Sequence, residues 1–194
     1  MHMSPRRVLL PAFILSIAAT ASAHTGHHDV SGFQSGLTHP IFGLDHLLAM
    51  IAVGLWAAQL GGRALWVVPT AFVALMLAGG AIGMAGLEFP GVEWGITGSV
   101  LVLGVLIAAV ARLPLWASVT LVGAFALCHG QAHGTEMPSA ASPLGYALGF
   151  LLATAALHLA GIGLGFIIQK LAQPRALRAC GGAVAVCGLV LMLG

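Results

Sequence analysis

Six long apolar stretches divide the chain, at approximately Ile41–Leu60, Ala64–Met84, Trp94–Ala111, Leu115–Gly134, Pro143–Ile168 and Leu177–Leu193. A helix needs about 20 apolar residues to cross a hydrocarbon core of ~30 Å, with about 17 as the lower end. All six qualify, the third and sixth near the limit. The breaks fall where Gly, Pro or charge cluster: Gly61-Gly62-Arg63, Leu87–Glu93, Arg112-Leu113-Pro114, Thr135–Ser142 and Lys170–Arg175. No polar block is long enough for a separate soluble domain. The pattern predicts an all-α integral membrane protein, a six-helix transmembrane bundle.

A shorter apolar run, Val8 to Ala19, precedes these stretches and follows Arg6 and Arg7. Ala21-Ser22-Ala23 then supplies small residues where a peptidase cuts. Charge, short apolar core and small-x-small form a secretory signal peptide. The expected organisation is a cleaved signal at 1–23, a His-rich N-terminal segment at 24–38, and the six-span domain at 39–194.

Composition agrees with the spans. The chain is 59% apolar and 6% charged, against about 25% charged in an average soluble domain. A net charge of +2 gives no basic stripe, so nucleic acid is not a partner; the lipid bilayer is. Three cysteines in apolar runs make no disulfide scaffold. If His24 is extracytoplasmic, Arg63, Arg112, Lys170, Arg175 and Arg178 all lie on the cytoplasmic side, as the positive-inside rule asks. Asp29, Glu88, Glu93 and Glu136 fall opposite. Gly145, Gly149 and Ala153, then Gly161 and Gly165, recur every four residues, and Gly79, Gly80 and Gly83 line the second span. Small residues at this spacing let helix backbones approach closely.

Polar residues inside a membrane are costly, roughly 2.5–3.5 kcal/mol for a central Asp, so each needs a reason. Asp45 and His46 open the first span, just after His39. Pro40 suits the first position of a helix, which puts His39 at or before its cap and His46 almost two turns below it. Asp45 can ligate directly or hold an imidazole in place. Met50 follows one turn after His46. In the fourth span His129 and His133 are four apart and Glu136 is seven from His129, so the three share one helix face. A His pair at this spacing can chelate a divalent metal, as in zinc-protease helices, but Gly130 stands where the protease motif needs Glu. Both groups lie at the same level of the membrane.

Other residues carry less. His158, near the middle of the fifth span, either bonds a neighbouring backbone or serves a deeper part of a pathway. Cys128 adjoins His129, yet buried Cys is commonly a small hydrophobe. Cys180 and Cys187, seven apart on one helix, are too distant to bridge. His24, His27 and His28 form a His-rich tract of the kind that gathers metal.

His39 with Asp45-His46 behind a signal peptide resembles the signature of the HupE/UreJ family of nickel and cobalt permeases. Cys128-His129-Gly130-Gln131-Ala132-His133-Gly134-Thr135-Glu136 is similar to that family's second His-rich block. The resemblance covers essentially the whole mature chain. It implies a bacterial inner-membrane protein that takes up Ni²⁺ or Co²⁺ for metalloenzymes, with the N-terminus of the mature chain in the periplasm.

The expected function is therefore inward transport of a divalent transition metal as cargo, with no permanently bound cofactor and no catalysis. His39, Asp45, His46, His129, His133 and Glu136 are the expected ligands, with His24, His27, His28, Met50, Cys128 and His158 as accessory groups. No phosphate-binding Gly-rich loop ending in Lys-Ser or Lys-Thr occurs, so ATP is not the direct energy source. The alternative is an intramembrane enzyme or electron carrier, with histidines holding a catalytic metal or haem. Haem would need two facing ligands such as His129 and His158, and a Ser–His hydrolase would need Ser99 activated.

Overall fold

The structure, a computed structural model, describes residues 32–139, 141–171 and 174–194. The signal peptide expected at 1–23 and the tract His24, His27 and His28 lie outside the described residues. Seven helices occur among those described, and no strand. They are α1 (Gly32–Phe42), α2 (Leu44–Leu60), α3 (Ala64–Met84), α4 (Val92–Ala109), α5 (Leu115–Thr135), α6 (Pro143–Leu171) and α7 (Pro174–Leu193).

The helix boundaries of the last five follow the apolar stretches closely, and each is long and apolar enough to cross a membrane. The first stretch differs. Helix α1 begins at Gly32, so it runs through the end of the expected His-rich N-terminal segment and across the 38/39 boundary. His39 is not a cap, because α1 continues past it through Pro40. The break comes at Gly43, whose extended backbone (φ −76°, ψ 110°) starts α2. The two axes are bent by 77°, and the pair together makes the sixth candidate span. Composition missed this because a Gly between two helical runs costs only about 1 kcal/mol inside a continuous helix and marks a bend only in context.

α2 is the central helix. It packs against α3, α4, α6 and α7, and most of its length is buried, from His46 through Gln59. A helix apolar all round needs such a position. Around it the chain forms tight pairs, α3 with α5, α4 with α7, and α1 and α2 with α6. Glycine sets these distances. A Cβ on Gly79 would overlap the Leu127 carbonyl and one on Gly130 the Met76 carbonyl, so α3 and α5 touch backbone to backbone. Gly54 on α2 meets the His158 backbone, and Gly161 on α6 meets Ile51. These are the small-residue contacts that drive packing in lipid.

The contacts also fix direction. Gly79–Leu127 and Gly83–Gln131 make α3 and α5 parallel, whereas Gly104–Ala185 and Gly181–Ala108 make α4 and α7 antiparallel. The connectors with Arg63 and Arg112 therefore share one end of the bundle with Lys170, and Glu88, Glu93 and Glu136 share the other. Large apolar side chains such as Leu148, Leu152, Leu159 and Ile167 face outward from α6. Trp66 and Trp116 are exposed near the basic end and Trp94 near the acidic end, the belt positions that aromatic rings take at membrane surfaces.

Candidate metal site

The bend at Gly43 builds the site. On a straight helix, His39 and His46 would be roughly 10 Å apart along the axis, at 1.5 Å per residue. With the bend their ring centroids are 5.8 Å apart. His46 is buried at the start of α2 and stands against both α5 histidines, 4.8 Å from His129 and 4.3 Å from His133. His39 closes the outer side, 4.6 Å from His133. Four imidazoles from three helices thus form one cluster at the acidic end.

Hydrogen bonds assign the nitrogens. Asp45, in the first turn of α2, accepts from the His46 backbone N–H at 2.8 Å and from its Nδ1 at 2.7 Å. A proton on Nδ1 leaves the buried Nε2 as a bare lone pair, and that atom has no hydrogen-bond partner. The Ser99 hydroxyl on α4 donates to the Ile96 carbonyl at 2.6 Å. Its oxygen lies 3.0 Å from His129 Nε2, so Nε2–H is the donor there. Nδ1 of His129 is then the free lone pair, again buried without a partner. Both ring nitrogens of His133 are unpartnered as well, and its ring lies 3.8 Å from that of Phe150. Buried polar groups are rarely left so in native proteins.

Glu136 sits just beyond α5 at the rim, where its carboxylate is 3.4 Å from His39 Nε2. The hydrogen bond from His39 holds this carboxyl below the usual carboxylate range, against the opposing effect of burial. One ligand atom each from His39, His133 and Glu136 lies within 4.8 Å of the others. Opposite ligands around an ion are about 4 Å apart, twice a metal–nitrogen distance of ~2.1 Å, so a small inward turn of the side chains would suffice. Glu136 also lines a cleft of about 390 Å³ with Glu88, Glu93 and Gln131. Burial therefore increases from a half-exposed carboxylate at the rim to a fully enclosed His129.

All six expected ligands converge here, with Asp45 bonded to His46. The accessory residues separate. Met50 is core. Cys128 is directed at Gly95 on α4 and is a free thiol, as are Cys180 and Cys187. His158 lies deeper, beyond Phe72, which is 5.8 Å from His129 and 5.2 Å from His158. The places of Ser99, Phe72 and Phe150 beside the cluster escaped sequence reading, because each reaches the histidines from another helix. Ser99 has no polar neighbour along the chain, yet it sets the tautomer of His129.

The fold and this cluster define a class: an all-helical, multi-pass membrane protein with a buried imidazole–carboxylate site near one end. A HupE / UreJ protein family model matches residues 12–191, and the chain belongs to that family. It is 45% identical over 180 residues to "Protein HupE" of Rhizobium leguminosarum bv. viciae, covering 93% of this chain and 94% of that one. No solved structure matches it.

Proposed function

We propose that this protein is a secondary permease carrying Ni²⁺ or Co²⁺ across the bacterial inner membrane, from periplasm to cytoplasm. The single observation that carries the reading is the set of unpartnered nitrogens on His46, His129 and His133, gathered from two helices in one buried cluster. Imidazole with carboxylate suits borderline divalent ions. Glu136 and His39 at the rim replace the first waters of the cargo, and the buried rings replace the rest. Asp45 and Ser99 orient ligands, a role that commonly governs affinity. The acidic end faces the periplasm in this reading, because the basic connectors then obey the positive-inside rule. His24, His27 and His28 would gather the ion before it reaches the rim.

An enzyme is less well supported. A nucleophilic serine must give its proton to the histidine, whereas the Ser99 hydroxyl is committed to the Ile96 carbonyl. Phe72 stands between His129 and His158, in the space that a haem plane shared by them would need.

The deciding experiment is uptake of ⁶³Ni²⁺ by proteoliposomes holding the purified chain, with Co²⁺, Cu²⁺ and Zn²⁺ as competitors. Saturable uptake that Co²⁺ suppresses is expected. Uptake no faster than in empty liposomes for every metal would overturn the reading.

A further inference from the structure

His158 stays outside the cluster, yet it too is buried, 2% exposed, with both ring nitrogens lacking a hydrogen-bond partner. A leucine there would pack in lipid or protein without that cost, so the imidazole invites a function. Its surroundings form two rungs between antiparallel helices. Phe72 and Met76, one turn apart on α3, face His158 and Thr154, one turn apart on α6. The Thr154 hydroxyl donates to Met76 Sδ at 3.8 Å, and the Phe72 ring meets His158 edge-on at 5.2 Å.

The Thr154–Met76 rung is nearer the acidic end and the His158–Phe72 rung nearer the basic end. Phe72 touches His129 on its other side, at 5.8 Å. One aromatic ring thus separates the innermost imidazole of the cluster from an imidazole at the middle of α6. Beyond it, His158 lines a cleft of about 240 Å³ with Leu65, Pro69 and Thr70. Pro69 has no N–H, so the Leu65 carbonyl lacks its usual helical donor four residues on. That carbonyl and the Thr70 hydroxyl accompany His158 in a cleft whose lining is otherwise mostly apolar.

We propose that His158 is an inner station for the translocated cation, receiving it from His129 when Phe72 turns aside, with Thr154 and the Met76 thioether as the neighbouring donors. This rests on the permease reading. One imidazole and a thioether bind more weakly than the outer cluster, and conduction requires sites weak enough to release their ion. Two sites in series, strong outside and weak inside, would carry a divalent ion past the innermost imidazole of the cluster towards the basic end.

The test uses Ni²⁺ with the purified full-length chain and two variants. His158→Gln keeps a polar side chain, His158→Leu keeps apolar bulk, and failure of one to fold leaves the other to decide. In equilibrium dialysis at saturating Ni²⁺, each folded variant is expected to bind one ion fewer than wild type while keeping the tighter binding. In proteoliposomes its initial rate should fall about tenfold or more, the usual scale for losing a metal-site group. An unchanged ion count, or an unchanged rate in a chain that transports, would overturn the inner station. Absence of flux in wild type would instead overturn the permease reading, and the ion count would still decide whether His158 binds metal.

Discussion

Two hydrogen bonds determine which nitrogen the buried histidines present. Asp45 accepts a hydrogen bond from His46 Nδ1–H, and Ser99 accepts from Nε2–H of His129, so each ring turns an unprotonated nitrogen inward. Asp45→Asn keeps the size but can offer its NH₂ to Nδ1, favouring the wrong tautomer. It should weaken Ni²⁺ binding by about 10–100-fold with the protein still folded, measured by equilibrium dialysis beside a thermal melt. Wild-type affinity would show that the cluster does not depend on this bond. Acid acts on the same groups. Protonated imidazole cannot ligate, so uptake should fall on acidification. Glu136 behaves differently, because the hydrogen bond from His39 keeps it ionised further into acid than an ordinary Glu. Its charge is present above the ordinary carboxylate range and lost only as pH falls through the lowered pKa. Glu136→Gln should therefore reduce the initial rate wherever the carboxylate is ionised, the difference from wild type closing only in acid below the ordinary carboxylate range. A wild-type rate at neutral pH would take Glu136 out of the ion's path.

At the scale of elements, the decisive features are one bend and one close pair. Gly43 brings His39 to His46, and it also leaves room for the Asp45–His46 bond. A Cβ there would stand 3.2 Å from Asp45 Oδ1 and 3.3 Å from His46 Nδ1, tight enough to push them. The α3–α5 contact is less forgiving, because Gly130 meets the Met76 carbonyl and Gly134 the Gly80 carbonyl. Gly130→Ala must push the two backbones apart. Overpacking of this kind costs about 1–3 kcal/mol, which should appear as a lower thermal midpoint in detergent; an unchanged midpoint would mean that the helices separate freely. The five long helices and the α5 histidine face were legible in the sequence, since hydropathy and four-residue spacing are local signals. The α1–α2 bend was not, because Pro40 reads equally as a helix start or as a residue within one. Nor were Ser99, Phe72 and Phe150, whose partners lie on other helices. The convergence of the two motifs was foreseeable from alternating helix direction, although the tautomers behind it were not.

For the whole molecule, the arrangement is polar from end to end. Glutamates ring the cleft beside the cluster, and the connectors bearing Arg63 and Arg112 lie at the far end. In the proposed permease, orientation in the membrane therefore decides the direction of transport. With the acidic end outside, a divalent cation meets carboxylates first and then imidazoles, and the membrane potential draws it inward. At 100 mV, inside negative, that term is about 4.6 kcal/mol, twice the value for one charge. It supports accumulation without ATP. With the acidic end inside, the same potential would oppose outward movement of an ion loaded at the cluster, and efflux would need another driving force. The two cases are separable in intact cells. In a background with Cys128, Cys180 and Cys187 replaced, Leu87→Cys sits in the α3–α4 connector beside the acidic cleft and Gly62→Cys in the α2–α3 connector at the other end. A membrane-impermeant thiol reagent should label the first and not the second until the cells are opened. The reverse pattern would place the cluster on the cytoplasmic side and turn the direction of transport around. Labelling of both in sealed cells would mean that the chain inserts in two orientations, which the one-sided distribution of its arginines argues against.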